Sequence, residues 1–248
     1  MRAAISKAEI ESTIAARFGD AFKHHETKRG EVVATGIPEI DALAGGGLPR
    51  GAITEIFGPA SSGRTSFMLA MLAHAIANKE VCTLIDTSDC FDPVSSGETQ
   101  VDLDQLLWVR CAANVEHAFK ATDLLLQGGG FGLVLLDLGD IAGKDARRII
   151  SSWWYRFRRT VENTPTALVV IAADSCVRSC ASLALEMNRD ADSWSSPAQV
   201  LHANLIPPRP SEITHANLLR GIRVRLDRHR PLHSSPRTAQ FNGILNNI

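Results

Sequence analysis

Two glycines and two neighbouring polar residues form the clearest chemical pattern in the chain. Gly58 and Gly63 are separated by four residues, and Arg64 and Thr65 follow the second glycine directly. Glycines at this spacing let the backbone turn tightly, so that successive N–H groups point inward at phosphate oxygens, and a Thr hydroxyl at this place suits Mg²⁺. The spacing therefore predicts a nucleotide-phosphate loop. Its residues are Gly58, Pro59, Ala60, Ser61, Ser62, Gly63, Arg64, Thr65 and Ser66.

Arg64 stands where this kind of loop ordinarily has lysine. A lysine ammonium is a compact point charge, whereas a guanidinium is wider and planar. Arginine still binds phosphate, even through two parallel hydrogen bonds, but its geometry at the reacting oxygen differs. We therefore expect nucleotide binding at this loop more than fast hydrolysis.

A second candidate for metal chemistry lies downstream, where the apolar run Leu133–Leu136 ends in Asp137. An acid at the end of a buried strand can hold the shell of a Mg²⁺ ion beside a phosphate loop, usually through water. The predicted metal residues are therefore Thr65 and Asp137.

The elements that must position these residues follow from hydrophobic periodicity. Ala52–Phe57 is a predicted strand before the loop, and Thr65–Asn78 is a predicted helix after it. Further apolar strands alternate with helices, which is typical of an α/β fold with a mostly parallel sheet covered by helices on both faces. The further strands are 81–86, 106–110, 133–137 and 166–172, and the further helices are 115–127 and 144–161.

The two ends of the chain carry weaker patterns. Residues 4–22 repeat apolar positions at helical spacing and predict an amphipathic N-terminal helix. Residues 188–216 are rich in Asp, Ser, Asn and Pro and predict a loop excursion, whereas 222–227 alternate as a half-buried strand does. The last fifteen or so residues show little periodicity, so we expect them to be loosely ordered.

Composition narrows the class of protein. The chain has 248 residues, 45% of them apolar, and a formal net charge of −1, so overall charge predicts neither a nucleic-acid nor a membrane partner. No apolar run reaches the roughly 18 residues that span a bilayer, and no signal peptide is recognisable. The five cysteines include no C-x-x-C pair, which favours reduced thiols and a cytoplasmic protein.

Several segments together resemble the RecA recombinase family. The likeness covers about 1–174, with a second match near 217–230, and is most specific over Gly36–Pro93. The segments that carry it are GIPEIDALAGGGLPRGAITEIFGPASSGRTS, LIDTSDCFDP and NLLRGIRVRLDRHR. The resemblance implies an N-terminal helix and linker at 1–34, a RecA-like P-loop NTPase core at 35–230 and a C-terminal tail at 231–248.

The same resemblance implies a function and its partners. It implies ATP and Mg²⁺ as cofactors, single-stranded DNA as a partner, and a role in bacterial DNA repair, recombination or the SOS damage response. The N-terminal helix, with Phe18 and Gly19, resembles the segment through which recombinase protomers associate with one another. By this resemblance the phosphate loop would bind the triphosphate, and Asp137 would hold the shell of the Mg²⁺ ion. Asp92 would contact the adenine amino group.

This chain departs from the family at positions that matter for hydrolysis. The catalytic glutamate of the family falls on Ser88, with Asp89 beside it, and a serine cannot act as base for an attacking water. Asp89 could take that role only if the turn shifted. The γ-phosphate-sensing glutamine falls near Ala173, and the first DNA-binding loop is largely missing between Asp137 and Lys144. Weak ATP hydrolysis is the expected result.

These departures leave two alternatives open. The chain contains the segments TGIPEIDAL, GGGLPRGAITEI and ARRIISSWWYRFRR. In these segments it is also similar to ImuA-like proteins, RecA-like companions of an error-prone polymerase. On that reading it is a non-catalytic scaffold that recruits a translesion polymerase. The other alternative is a fully active DNA-dependent ATPase recombinase.

Two basic segments are candidates for contact with DNA. In 222–230, arginines alternate along a predicted strand and continue beyond it, which fits contact with a phosphate backbone, although a solvated face or an acidic protein partner fits too. The residues of this predicted patch are Arg223, Arg225, Arg228 and Arg230. Residues 146–160 place Trp and Phe on one side of a helix and Arg on another, which favours a core-facing stripe over a binding face.

Overall fold

A computed structural model describes residues 31–94, 101–141, 151–194, 219–231 and 237–244, together with Ser12 and Ala16. Ser12 and Ala16 are helical, and the rest of the predicted N-terminal helix lies outside the described residues. The predicted helix at 144–161 is described only from Ser151 onward, and residues 195–216 of the predicted loop excursion are likewise outside the described ranges. No helix in these ranges combines the length and apolar content needed to cross a bilayer.

The elements are named here in chain order. The strands are β1 (Val32–Val33), β2 (Leu48–Pro49), β3 (Ala52–Phe57), β4 (Cys82–Asp86), β5 (Leu106–Arg110), β6 (Leu133–Leu138), β7 (Ala167–Ala172), β8 (Ala181–Trp194), β9 (Leu219–Arg230) and β10 (Thr238–Ile244). The α-helices are α1 (Pro38–Ala44), α2 (Arg64–Ala77), α3 (Val115–Gly128) and α4 (Ser151–Val161). Short 3-10 helices span Leu103–Gln105 and Arg178–Cys180.

One eight-stranded sheet organises the fold, in the order β10-β9-β8-β3-β7-β6-β4-β5. The strands from β5 across to β8 are parallel to their neighbours, whereas β9 and β10 are antiparallel. The prediction of an α/β fold with a mostly parallel sheet is confirmed. Because the carboxyl ends of parallel strands meet at one edge, the residues after β3, β4 and β6 are gathered there.

Helices cover both faces of the parallel part of the sheet. On one face α1 and α2 pack through apolar side chains such as Leu43, Phe67 and Leu72. On the other face α3 and α4 pack through Phe119, Trp154 and Phe157. β6 and β7 are apolar on both faces because both faces are buried, which is why their sequences read as continuous apolar runs.

Helix α4 carries the predicted stripe of Trp and Phe side chains, and this stripe packs against the core. Trp154 and Phe157 are buried, and both rings contact Phe119 of α3. Arg156 is exposed and forms two hydrogen bonds, of 2.6 and 2.5 Å, with the carboxylate of Asp123. The aromatic stripe therefore holds α4 against α3.

The ends of the sheet correct two sequence expectations. Residues 188–194, expected in a loop excursion, extend β8, and Thr238–Ile244, expected in a loosely ordered tail, pairs with β9 as β10. The boundary placed at residue 230 therefore falls between two paired strands. Residues 189–192 of β8 are all exposed, whereas β10 is rich in polar residues because one face of the sheet is open there. Along β10, Thr238, Gln240 and Asn242 are exposed, whereas Phe241 is buried.

Candidate phosphate-binding site

The phosphate loop lies between β3 and α2, and packing against β8 and β9 requires its glycines. An ideal Cβ on Gly58 would lie 2.1 Å from the carbonyl oxygen of Met187 in β8. Gly63 has a φ of +92°, and its ideal Cβ would lie 2.8 Å from Cγ2 of Val224 in β9. The two glycines therefore let the loop lie flat against the neighbouring strands.

The amino end of α2 leaves polar groups free to bind an anion. The helix begins at Arg64, and the N-cap residue Gly63 supplies no side-chain hydrogen bond, so the first N–H groups need another partner. Ser62 is buried, and its hydroxyl has no hydrogen-bond partner within the described part of the chain. Thr65 and Ser66 are exposed. These groups fit a phosphate bound at a helix amino end, with Thr65 available to a cation.

Arg64 extends from this loop to the end of β6. Its Nη1 donates a hydrogen bond of 3.3 Å to the carbonyl oxygen of Gly139. An ideal Cβ on Gly139 would lie 3.1 Å from the same nitrogen. The guanidinium is thus accommodated by a glycine directly after β6.

Asp137, the predicted metal residue, lies near the end of β6. Its Oδ1 accepts a hydrogen bond of 2.8 Å from the N–H of Gly139. Burial, followed by the charges of Asp140 and Asp86, raises the pKa of Asp137 to about 6, although the Gly139 N–H and Arg64 oppose the shift. Because a cation needs the ionised carboxylate, metal binding at Asp137 would release a proton near that pH.

Asp86 is a site residue that the sequence analysis missed. It faces Asp137 in the parallel register of β4 and β6, and it is 1% exposed. Its carboxylate accepts hydrogen bonds from the N–H groups of Cys90 (3.2 Å) and Phe91 (3.0 Å) and from Nε1 of Trp108 (3.3 Å). Asp86 therefore anchors the turn that carries Ser88 and Asp89. The signal available was an acid at the end of the apolar run Val81–Ile85.

The predicted base positions lie in this turn, but Asp89 is held by an arginine. Oδ2 of Asp89 lies 3.2 Å from Nη2 of Arg110, at the end of β5. Oδ1 is buried and has no hydrogen-bond partner among the described residues. Ser88 is half-buried, and the predicted adenine contact Asp92 is exposed, with Oδ1 accepting from the N–H of Val94 at 3.0 Å.

The predicted DNA patch on β9 is divided between the two faces of the strand. Arg223 and Arg225 are exposed, and Nε of Arg225 lies 3.0 Å from Oδ2 of Asp227. Arg228 is only 7% exposed, and its Nη1 donates a hydrogen bond of 2.6 Å to the carbonyl oxygen of Leu43 in α1. Successive side chains of a strand point to opposite faces, so Arg228 belongs to the core-facing set and lies outside the patch. Arg230 is half-buried.

A comparison with known families identifies the family to which this chain belongs. The model of the RecA N-terminal domain matches residues 4–144, more than half of the chain. The chain belongs to the RecA family. This confirms the resemblance found in the sequence, and the RecA match contains the loop, the Asp86 turn and Asp137.

Two curated proteins are similar to this RecA family member over part of their length. The chain is 37% identical to Protein RecA of Colwellia psychrerythraea over 108 residues, which cover 43% of this chain and 31% of that protein. It is 36% identical to Protein RecA of Pseudomonas putida over 122 residues, which cover 49% of this chain and 33% of that protein. The chain thus spans about a third of the length of these relatives.

Proposed function

We propose that this RecA family member binds ATP and Mg²⁺ at Gly58–Ser66, hydrolyses ATP slowly, and acts in bacterial DNA repair, recombination or the SOS response. The observation that carries the proposal is the form of the loop. Two glycines pressed against β8 and β9 bring together the amino end of α2 and the hydroxyl of Ser62, which has no hydrogen-bond partner among the described residues. Such an arrangement suits a polyphosphate.

Each residue of the site has a role in this proposal. Bound Mg²⁺ would neutralise phosphate charge, with Thr65 as its ligand and Asp137 ordering its water shell. Asp92, exposed after the Asp86 turn, would accept from the adenine amino group. Hydrolysis is slow because Ser88 is no base and Asp89 is occupied by Arg110.

Titration calorimetry with ATP and Mg²⁺ tests the binding. Thr65→Ala removes an exposed hydroxyl at the loop, so we expect the Mg²⁺-dependent part of the affinity to fall while the fold is kept. Thr160→Ala is a matched control, because among the described residues the hydroxyl of this helical threonine bonds only to the carbonyl oxygen of Arg156 in its own helix. Gly63→Val is a poorer probe, since its side chain would collide with Val224 as well as with phosphate. A wild type without measurable ATP affinity would contradict the proposal.

The partners follow from the same proposal. Single-stranded DNA would contact Arg223 and Arg225 through its phosphates, with Arg230 at the margin of the patch. The N-terminal helix would mediate self-association. Both relatives are named Protein RecA. We infer a related role in DNA repair for this chain.

A second candidate is an ImuA-type scaffold that recruits a translesion polymerase without catalysis. The pairing of Asp89 with Arg110 favours it, because the one acid beside Ser88 in the turn is turned away from a hydrolytic role. This candidate expects polymerase binding that is unaffected by ATP, Mg²⁺ or Thr65→Ala. Pull-down of the polymerase with and without ATP separates it from the first proposal.

A further inference from the structure

The backbone and side chain of Asp89 are both held in costly states. The φ of Asp89 is +59°, in the left-handed region that residues with a side chain seldom adopt. One carboxylate oxygen is buried without a hydrogen-bond partner in the described part of the chain, which is unfavourable for a charged group. States of this kind persist only where the surrounding structure holds them in place.

The residues that hold Asp89 come from the β5 side of the turn. Nη2 of Arg110 lies 3.2 Å from Oδ2 of Asp89, and the same guanidinium lies over the ring of Trp108 at 5.0 Å. Trp108 is fixed in turn by its hydrogen bond to Asp86 and by an edge contact with Phe91. Arg110 is therefore placed to draw the Asp89 carboxylate toward β5.

That direction leads away from the phosphate loop. β5 is an outer strand of the sheet, and the loop follows β3, which β7 and β6 separate from β4. The turn itself remains next to the site, because the N–H of Thr87 donates to the carbonyl oxygen of Asp137 at 3.3 Å. An Asp89 carboxylate released from Arg110 would thus be free to face the carboxyl ends of β6 and β7.

We propose that the Arg110–Asp89 ion pair is an autoinhibitory latch and that Asp89 is the general base of this site when the pair opens. The inference rests on the proposed binding of ATP. In the open state the Asp89 carboxylate accepts a proton from water, the water oxygen bonds to the terminal phosphorus, and the bond from that phosphorus to the leaving diphosphate breaks. A positioned base of this kind accelerates hydrolysis.

The latch is weak enough to be opened. The side chain of Arg110 is 59% exposed, and ion pairs at such positions contribute little and are screened by salt. An anionic group that engages Arg110 would compete directly with Asp89. The rate of hydrolysis therefore depends on whether an anionic group is bound to Arg110 at the exposed end of β5.

The test compares Arg110→Gln with Arg159→Gln, a control at an exposed arginine in the last turn of α4. ATP affinity, steady-state turnover and hydrogen exchange of the amides from Ser88 to Phe91 are measured for each protein. We expect Arg110→Gln to raise turnover about two- to fivefold, in line with the modest strength of an exposed pair, and to speed exchange in the turn. The double variant Arg110→Gln/Asp89→Asn should keep the faster exchange and lose the gain in turnover.

Other outcomes separate the latch from the proposed function. ATP binding with unchanged turnover in Arg110→Gln overturns the latch and leaves nucleotide binding intact. A gain that persists in the double variant also overturns it, because Asp89 is then not the base. If Arg110→Gln does not fold, Asp89→Asn opens the pair from the other side and must speed exchange without raising turnover. A wild type that binds no ATP in calorimetry contradicts the proposed function itself.

Discussion

Arg64 and Asp137 are joined through the backbone of Gly139. The guanidinium of Arg64 donates to the Gly139 carbonyl oxygen at 3.3 Å, and the Asp137 carboxylate accepts from the Gly139 N–H at 2.8 Å. Arg64 of the phosphate loop and the predicted metal residue Asp137 are thus linked by hydrogen bonds through one glycine. A bound triphosphate would compete with Gly139 for Arg64.

The first prediction concerns that competition. Arg64→Met should weaken ATP binding about tenfold or more, since hydrogen bonds to a charged group are worth about 1.5–3 kcal/mol. Calorimetry on Arg64→Met measures the loss, with Arg158→Met, an exposed arginine of α4, as control. Equal affinities for Arg64→Met and wild type would mean that Arg64 stays on Gly139 and takes no part in binding.

The second prediction concerns the pKa of Asp137, which is raised from 3.8 to about 6. The folded state binds this proton more tightly than the unfolded state, so its contribution to stability is full below pH 3.8 and is lost as pH rises through about 6. Asp137→Asn keeps an acceptor for Gly139 and does not ionise. In urea unfolding without divalent cations, it should match wild type near pH 4 and exceed it at pH 7.5 by up to about 3 kcal/mol, at about 1.4 kcal/mol per pKa unit. A difference that is the same at both pH values would count against the raised pKa.

The third prediction concerns Gly58. Gly58→Ala places a methyl group 2.1 Å from the Met187 carbonyl oxygen, so β3 and β8 must separate locally, and we expect a loss of at least about 2 kcal/mol. Gly128→Ala is the matched control, because nothing lies within 4 Å of its ideal Cβ at the end of α3. The control should be neutral or stabilising by up to about 1 kcal/mol. Chemical unfolding of both variants gives the comparison, and equal stabilities would show that the loop does not lie against β8.

The fourth prediction concerns DNA. Arg223→Ala/Arg225→Ala should flatten the dependence of log Kd on log salt by about 1–2, because each neutralised phosphate of single-stranded DNA contributes about 0.7. ATP affinity should not change. Fluorescence anisotropy with a labelled oligonucleotide at several salt concentrations measures the slope. DNA binding by wild type that is absent or insensitive to salt would assign these arginines to a protein partner.

The fifth prediction concerns Arg228, whose guanidinium bonds to the carbonyl oxygen of Leu43. Arg228→Met fills a similar volume but loses this charge-assisted hydrogen bond, so the free energy of unfolding should fall by about 1.5–3 kcal/mol. The salt slope of DNA binding should stay as in wild type. A stable Arg228→Met protein with a flatter salt slope would return Arg228 to the DNA patch.

The strands from β3 to β7 could be predicted from the sequence almost to the residue, whereas β8, which is also parallel to β3, was not predicted. β3 and β5 begin and end where hydrophobic periodicity placed them, and α2 is shifted by a single residue from its prediction. Such elements are buried on a complete face or on both faces, so burial leaves a local pattern of apolar residues. The loop glycines were recognisable for a similar reason, because phosphate binding requires a fixed local spacing.

The tertiary structure alone decided which polar residues belong together. Arg228 lay beyond the predicted strand and was grouped with Arg223 and Arg225 by its charge, but β9 continues through it and contact with α1 buries it. β10 was not predicted for the same reason, because one face of this strand is buried only when it pairs with β9. Asp89 had the type of side chain that a base needs, and its ion pair with Arg110 depends on the pairing of β4 with β5. Spacing in the sequence determines which chemistry is available, whereas contacts between distant segments determine where each charge points.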